Sequence, residues 1–151
     1  MLSRVKFPSI KPDTMTAGVL AALWAVSLLL PVAIMGAAKD NVFPGWGILM
    51  MGWLGVLVLQ FGWFANPVFV AALVLLATSK RRTGWATLVS VLLACLIADA
   101  LTWHEMYGDN GSVPIQAFGA GYYLWLATMI GAAVTLAWPF GNKAFVSRHE
   151  G

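Results

Sequence analysis

The sequence predicts an all-α fold: a polytopic integral membrane protein, a four-helix transmembrane bundle with a long or broken second helix. Three observations carry that expectation. Four long apolar stretches run at about 14–37, 46–79, 83–103 and 116–140, and each is long enough for a helix to cross a hydrocarbon core about 30 Å thick, which takes roughly 20 residues. Hydrophobic residues form 60% of the chain and charged ones 10%, against about 45–50% and about 25% in ordinary soluble domains. Positive charge also alternates between successive connections. With 151 residues, most of them in apolar stretches, the chain reads as one transmembrane domain, 1–151, with no room for a separate soluble one.

Taken in order, the first stretch follows a basic tail holding Arg4, Lys6 and Lys11. Gly36 and Ala38 would suit a signal-peptide cleavage site, but the apolar run far exceeds the usual core of about 7–15 residues, so an uncleaved anchor is expected. Pro31 is placed to bend it. The second stretch is the odd one, since an unbroken helix over its 34 residues from Trp46 to Ser79 would be about 51 Å long. It can tilt steeply, begin as an interfacial segment, or form two spans joined near Phe64 to Pro67. A break is expected at Gly62-Trp63-Phe64-Ala65-Asn66-Pro67, because proline removes a backbone donor and Asn66 can satisfy groups that a break leaves unpaired. Gln60 and Asn66 are its polar side chains, suited to hydrogen bonds between helices or to lining a path beside a discontinuous helix. The third and fourth stretches have ordinary span lengths.

Lys and Arg near span ends remain preferentially in the cytoplasm. The N-terminal tail, the turn Lys80-Arg81-Arg82, and the C-terminal tail with Lys143 and Arg148 together hold eight of these residues, while Lys39 alone lies in the other connections. Four crossings are therefore expected, with both termini cytoplasmic and the loops around Asp40 and Asp109 outside. Five crossings, with two spans in the second stretch, would scramble this pattern.

Small residues let membrane helices approach closely. Ala17, Ala21 and Ala25 in the first span, Gly52 and Gly55 in the second, Ala86, Ser90, Ala94 and Ala98 in the third, and Ala127 and Gly131 in the fourth mark the expected seams. Phe43, Trp46, Trp103, Tyr107, Phe118, Tyr122, Tyr123 and Trp125 gather at the outer ends, as an interfacial aromatic belt would. Cys95 is the single cysteine, which excludes intramolecular disulfides and thiol relays; it is expected to be a small buried apolar residue.

Asp99 is the only ionisable residue inside an apolar stretch, near the outer end of the third. With His104, Glu105 and Asp109 it forms a candidate polar site, one imidazole and three carboxylates within eleven residues, the residue types that bind a divalent metal, relay protons or receive a cation. The plain alternative is a solvated loop with Asp99 hydrogen-bonded to a neighbouring helix. His104 lacks a second histidine at helical metal spacing and His149 lies in the tail, so neither a metal site nor bis-histidine haem is expected. Nor is any other cofactor.

The formal charge of +3 sits at span ends, where topology and lipid head groups account for it, so nucleic acid is not an expected partner. No nucleophile, base and orienting group converge, so no enzyme is expected. Two functional classes remain. One is a small bacterial-type protein of the plasma (inner) membrane that acts non-enzymatically through helix and loop contacts, as an accessory subunit or an immunity-type protein. The other is a small oligomeric permease or ion-conducting protein using Gln60, Asn66 and Asp99. The expected partners are the lipid bilayer and either another membrane protein or further copies of the chain.

Overall fold

Pro31 ends the first helix and does not bend it. In the computed structural model, which describes residues 12–35, 42–78, 84–108 and 111–138, helix α1 covers Pro12–Leu29 and strand β1 begins at once, at Pro31–Met35. Proline fixes φ, lacks a donor and pushes the preceding residue out of the helical region. The chain returns as β2 (Val42–Pro44) and turns into α2 (Gly45–Met51), a 3₁₀ helix (Gly52–Val58), a short 3₁₀ turn (Gly62–Phe64) and α3 (Ala65–Ala77). Then follow α4 (Gly84–Ala100), β3 (Glu105–Gly108), β4 (Gly111–Phe118) and α5 (Ala120–Ala137).

The expectation of an all-α chain is therefore corrected by a four-stranded antiparallel sheet of order β2-β1-β4-β3. Its centre pairs Ala33 with Phe118 and Ile34 with Ala117, joining the segment after α1 to the segment before α5. The sequence places these residues at span ends, because a short apolar run has no periodicity that separates strand from helix. The helices are correspondingly shorter than the apolar stretches.

α1, α3, α4 and α5 pack around one core, with α5 against α1 and α4 and α3 closing the far side. Phe69, Leu76, Leu93 and Met129 are fully buried at its centre. α1, α5 and α4 with Leu101 are long and apolar enough to cross a membrane, while Gly62–Ala77 is a shorter apolar helix. Their outward faces are apolar too: Val19, Leu23, Val70, Val74, Val91 and Val134 are all exposed. A helix that is hydrophobic all round belongs in a large core or in lipid.

The small-residue seams hold only in part. Ala17, Ala86 and Ser90 are buried, and Ser90 donates to the Ala133 carbonyl at 2.8 Å, stitching α4 to α5. Ala25, Ala94, Ala98 and Ala127 lie on the outer surface. Cys95 is exposed as well, contrary to expectation, because it follows Ala94 around the outer face of α4.

The second stretch makes one net pass along the bundle, after a hairpin at the sheet end. Its start is held beside the end of α1 by Gly45 N–H to Leu30 C=O at 3.0 Å. At the far end, Thr14 Oγ1 donates to Ala77 C=O at 3.4 Å, so the foot of α1 meets the end of α3. The reversal comes at Leu59 (φ 60°), the described non-glycine residue with positive φ, and Gln60 N–H closes it onto Gly55 C=O at 2.9 Å. A β-carbon on Gly55 would lie 2.7 Å from the Gln60 oxygen, so the return leg closes only over glycine. The irregular segment starts at Leu59, upstream of the expected break, and runs through the 3₁₀ turn Gly62–Phe64 into that break, ending where α3 begins at Ala65. Pro67 sits in the first turn of α3, where amide groups have no intrahelical partner and a missing donor costs nothing.

All nine Lys and Arg residues that carry the orientation argument, with Asp40, Asp109 and His149, lie outside the described residues.

Gly62 packs face to face with the end of α4, and a β-carbon there would sit 2.8 Å from Ala100 Cβ and 3.0 Å from its Cα. Gly62→Leu is expected to destabilise the fold by about 1–3 kcal/mol through overpacking. Gly18→Leu, where no atom lies within 4 Å, should change the unfolding midpoint in detergent little. Equal midpoints for the two variants would contradict the Gly62–Ala100 contact.

Candidate functional site

Two side chains pin the hairpin to the bundle. Asp99, one residue before the end of α4, accepts Phe61 N–H at 2.7 Å and Gly62 N–H at 2.6 Å on the same oxygen, Oδ2. These amides open the turn that leads into α3 and have no carbonyl one turn earlier to bond. A carboxylate at a helix start also meets the positive end of the helix dipole, and hydrogen bonds to a charged acceptor are the stronger kind. This is the interhelical reading of Asp99.

Asn66, in the first turn of α3, is the second pin. Its Oδ1 accepts the indole N–H of Trp24 from α1 and of Trp125 from α5, each at 3.0 Å. Its Nδ2 donates to Trp63 C=O at 2.8 Å. Indoles only donate, so the amide orientation is fixed by its neighbours. Three helices thereby meet on one carboxamide. Trp63 in turn donates its own N–H to Leu49 C=O at 2.9 Å, tying the return leg of the hairpin to α2.

Around this point lies an aromatic stack from the sheet and α5. Phe118 and Tyr122 stack with centroids 4.1 Å apart, Trp103 lies 5.7 Å from Phe118, and Trp125 lies 6.4 Å from Tyr122. The Tyr122 hydroxyl donates to Ala100 C=O at 2.8 Å in a buried setting. Tyr122 and Trp125 are thus packing elements, whereas Trp46 and Tyr123 are exposed as belt residues would be.

Between hairpin, sheet and bundle lies a cavity of about 560 Å³. Leu49, Leu54, Leu57 and Val58 of the hairpin line one side, Val32 and Met106 of the sheet another, and Asn66, Tyr122 and Trp125 the bundle side. Gln60 and Glu105 also face it. Among the described residues no hydrogen bond is recorded for the Gln60 side chain, which distinguishes it from Asn66.

Of the predicted polar site, Asp99, His104 and Glu105 are among the described residues and make different contacts. Asp99 is engaged toward the hairpin, while His104 and Glu105 form a solvated pair, Nε2 to Oε1 3.8 Å, with side chains 75% and 50% exposed. His104 Nδ1 faces Thr102 C=O at 2.7 Å. Among the described residues no three His, Cys, Asp or Glu side chains come together to hold a metal ion. Asp109 lies outside them. Of the helix-break group, Gln60 and Asn66 both reach the cavity and Pro67 does not. The partners that sequence reasoning left out are Trp24, Trp63 and the buried faces of Tyr122 and Trp125. Their only signal was an unusual number of indoles beside one buried asparagine.

Comparison with known proteins gives no match to a family model, a curated protein or a solved structure.

Asp99→Ala strands two amide donors and should cost about 1–3 kcal/mol, with Asp99→Asn losing less because one oxygen still accepts. Asn66→Leu removes the acceptor of two indoles, and is expected to lower the unfolding midpoint and shift tryptophan emission. An Asp99→Ala midpoint equal to wild type would remove the pin from the account.

Proposed function

We propose that this chain is a four-crossing protein of a bacterial-type plasma (inner) membrane, with both termini cytoplasmic. It acts without catalysis, through contacts of its helices and sheet-side hairpin with another membrane component, as an accessory subunit or an immunity-type protein. Three apolar helices of membrane length and the apolar outer faces support the bilayer setting. The charge alternation of the connections supports the orientation.

The observation that carries the contact role is how polar groups are used. The buried polar side chains Ser27, Asn66, Ser90 and Thr128 each have a hydrogen-bond partner inside the protein, and Asp99 holds backbone amides. A conducting lane needs groups free to exchange partners with a solute. Two of the three residues on which a permease would rely, Asn66 and Asp99, are instead committed to architecture. Meanwhile the hairpin presents Trp46, Met50, Met51, Trp53, Leu57 and Leu59 outward, an apolar face that another membrane component can cover as readily as lipid does.

A photo-crosslinking amino acid at Trp53, compared with one at Val70 on the outer face of α3, separates the readings in intact cells. A discrete adduct is expected at Trp53 and none at Val70; equal diffuse labelling would argue against a contact surface. Reconstituted protein should also pass no more ions than empty liposomes, and flux abolished by Gln60→Leu would favour the permease. Reporter fusions at the two ends are expected to read out on the same, cytoplasmic side.

A further inference from the structure

We propose that the 3₁₀ leg of the hairpin, Gly52–Val58, is a movable wall of the sheet-side cavity, clasped shut by Trp63, and that the cavity exchanges its contents when this wall swings. The inference does not depend on whether the outer face of the hairpin also meets a protein.

The wall is one helix thick. Leu54, Leu57 and Val58 line the cavity, while Trp53 and Val56 of the same helix do not line it and are 55% and 41% exposed. None of the seven residues is buried, so no packed side chain anchors the leg. Among the described elements it packs chiefly on its own flanks, α2 before it and the turn Gly62–Phe64 after it. Its backbone is also of the weaker kind. 3₁₀ hydrogen bonds have poorer geometry than α-helical ones, and runs beyond three or four residues are uncommon. This run spans seven residues and ends on Leu59 in the left-handed region, a conformation that side-chain bulk disfavours.

The leg is strung between two fixed points. At one, Gly45 N–H bonds Leu30 C=O beside the end of α1; at the other, Asp99 holds the amides of Phe61 and Gly62. Among the described residues, one side-chain hydrogen bond reaches the stretch between them, from Trp63 Nε1 to Leu49 C=O at 2.9 Å. The same indole lies so close to Gly52 that a β-carbon there would collide with its ring. Trp63 thus clasps the junction of α2 and the 3₁₀ leg from the return side. The other walls are held by more. β1 and β4 are paired along a strand ladder, and Asn66, Tyr122 and Trp125 are bonded across helices. Opening the cavity on those sides breaks several bonds at once, whereas opening it at the hairpin releases one.

The test uses the full chain in lipid bilayers, with the native thiol removed by Cys95→Ser and spin labels placed on introduced cysteines. Met15→Cys, near the foot of α1, is paired either with Leu57→Cys on the leg or with Leu101→Cys at the end of α4; all three positions are exposed. The Leu57 pair is expected to give a broad or two-peaked distance distribution and the Leu101 pair a single narrow one. Trp63→Phe removes the clasp's donor and Gly52→Ala crowds its ring, so each should alter the Leu57 distribution and leave the Leu101 distribution unchanged. Unfolding midpoints verify that each variant is folded. A cysteine inside the cavity, Met106→Cys, should react with N-ethylmaleimide roughly 2- to 10-fold faster when Trp63→Phe is added, the worth of one ordinary hydrogen bond. A Leu57 distribution as narrow as that of Leu101, one that neither variant alters, or an unchanged Met106→Cys labelling rate would overturn the proposal.

Discussion

The architecture depends on two backbone amides finding an acceptor. Where the chain reverses at Leu59 and starts its pass as α3, the amides of Phe61 and Gly62 have no carbonyl behind them. Asp99 supplies one oxygen to both, and without it two amide donors would be left unpaired beside apolar side chains, at a cost of about 1–3 kcal/mol. Everything at the sheet end follows from that anchor. The return leg is fixed against α4, Gly62 can nest on Ala100, and the hairpin holds a cavity open between itself and the sheet. A carboxylate placed in an apolar stretch invites a catalytic or transport reading, yet here its geometry is that of a helix cap reached from another helix.

Asn66 completes the arrangement by a different logic. A carboxamide oxygen has two lone pairs, and two indole donors from α1 and α5 use them, so the three helices are registered on one atom. Such a fully satisfied polar cluster specifies one arrangement in a way that apolar packing, which tolerates sliding, does not. Tyr122 does the same between α5 and the end of α4. The polar contacts of the bundle are thus concentrated at its sheet end, while the opposite half is held chiefly by side chains such as Leu76, Leu93 and Ala132.

The helical parts were legible because their signal is length, and length survives misjudged ends. Three of the four stretches contain a helix of span length, and the second breaks into α2 and a 3₁₀ continuation ahead of α3. The sheet was not legible. Pro31-Val-Ala-Ile-Met35 and Gln116-Ala-Phe118 are as apolar as the helices they adjoin, and strand pairing between segments more than 80 residues apart leaves no local trace. Asn66 was singled out for the right reason, a buried amide beside a break, but the break extends further upstream, because Leu59 adopts a left-handed turn that its residue type disfavours. Pro67, the expected breaker, was harmless at its position. His104 and Glu105 adjoin Asp99 in sequence, yet the contacts they make are their own, an exposed pair with each other, while Asp99 holds the amides of Phe61 and Gly62.

That last contrast bears on the reading of small apolar proteins generally. Ionisable residues inside apolar stretches attract functional hypotheses because their burial is costly, and the cost is real whatever offsets it. Here two backbone amides offset it, and the offset is architectural. Gln60 makes the contrast, since it is uncharged, partly buried and without a side-chain hydrogen bond among the described residues, while Asn66 beside it holds three helices together. Cost of burial alone therefore does not tell an architectural polar group from a functional one; what the group's own atoms are bonded to does.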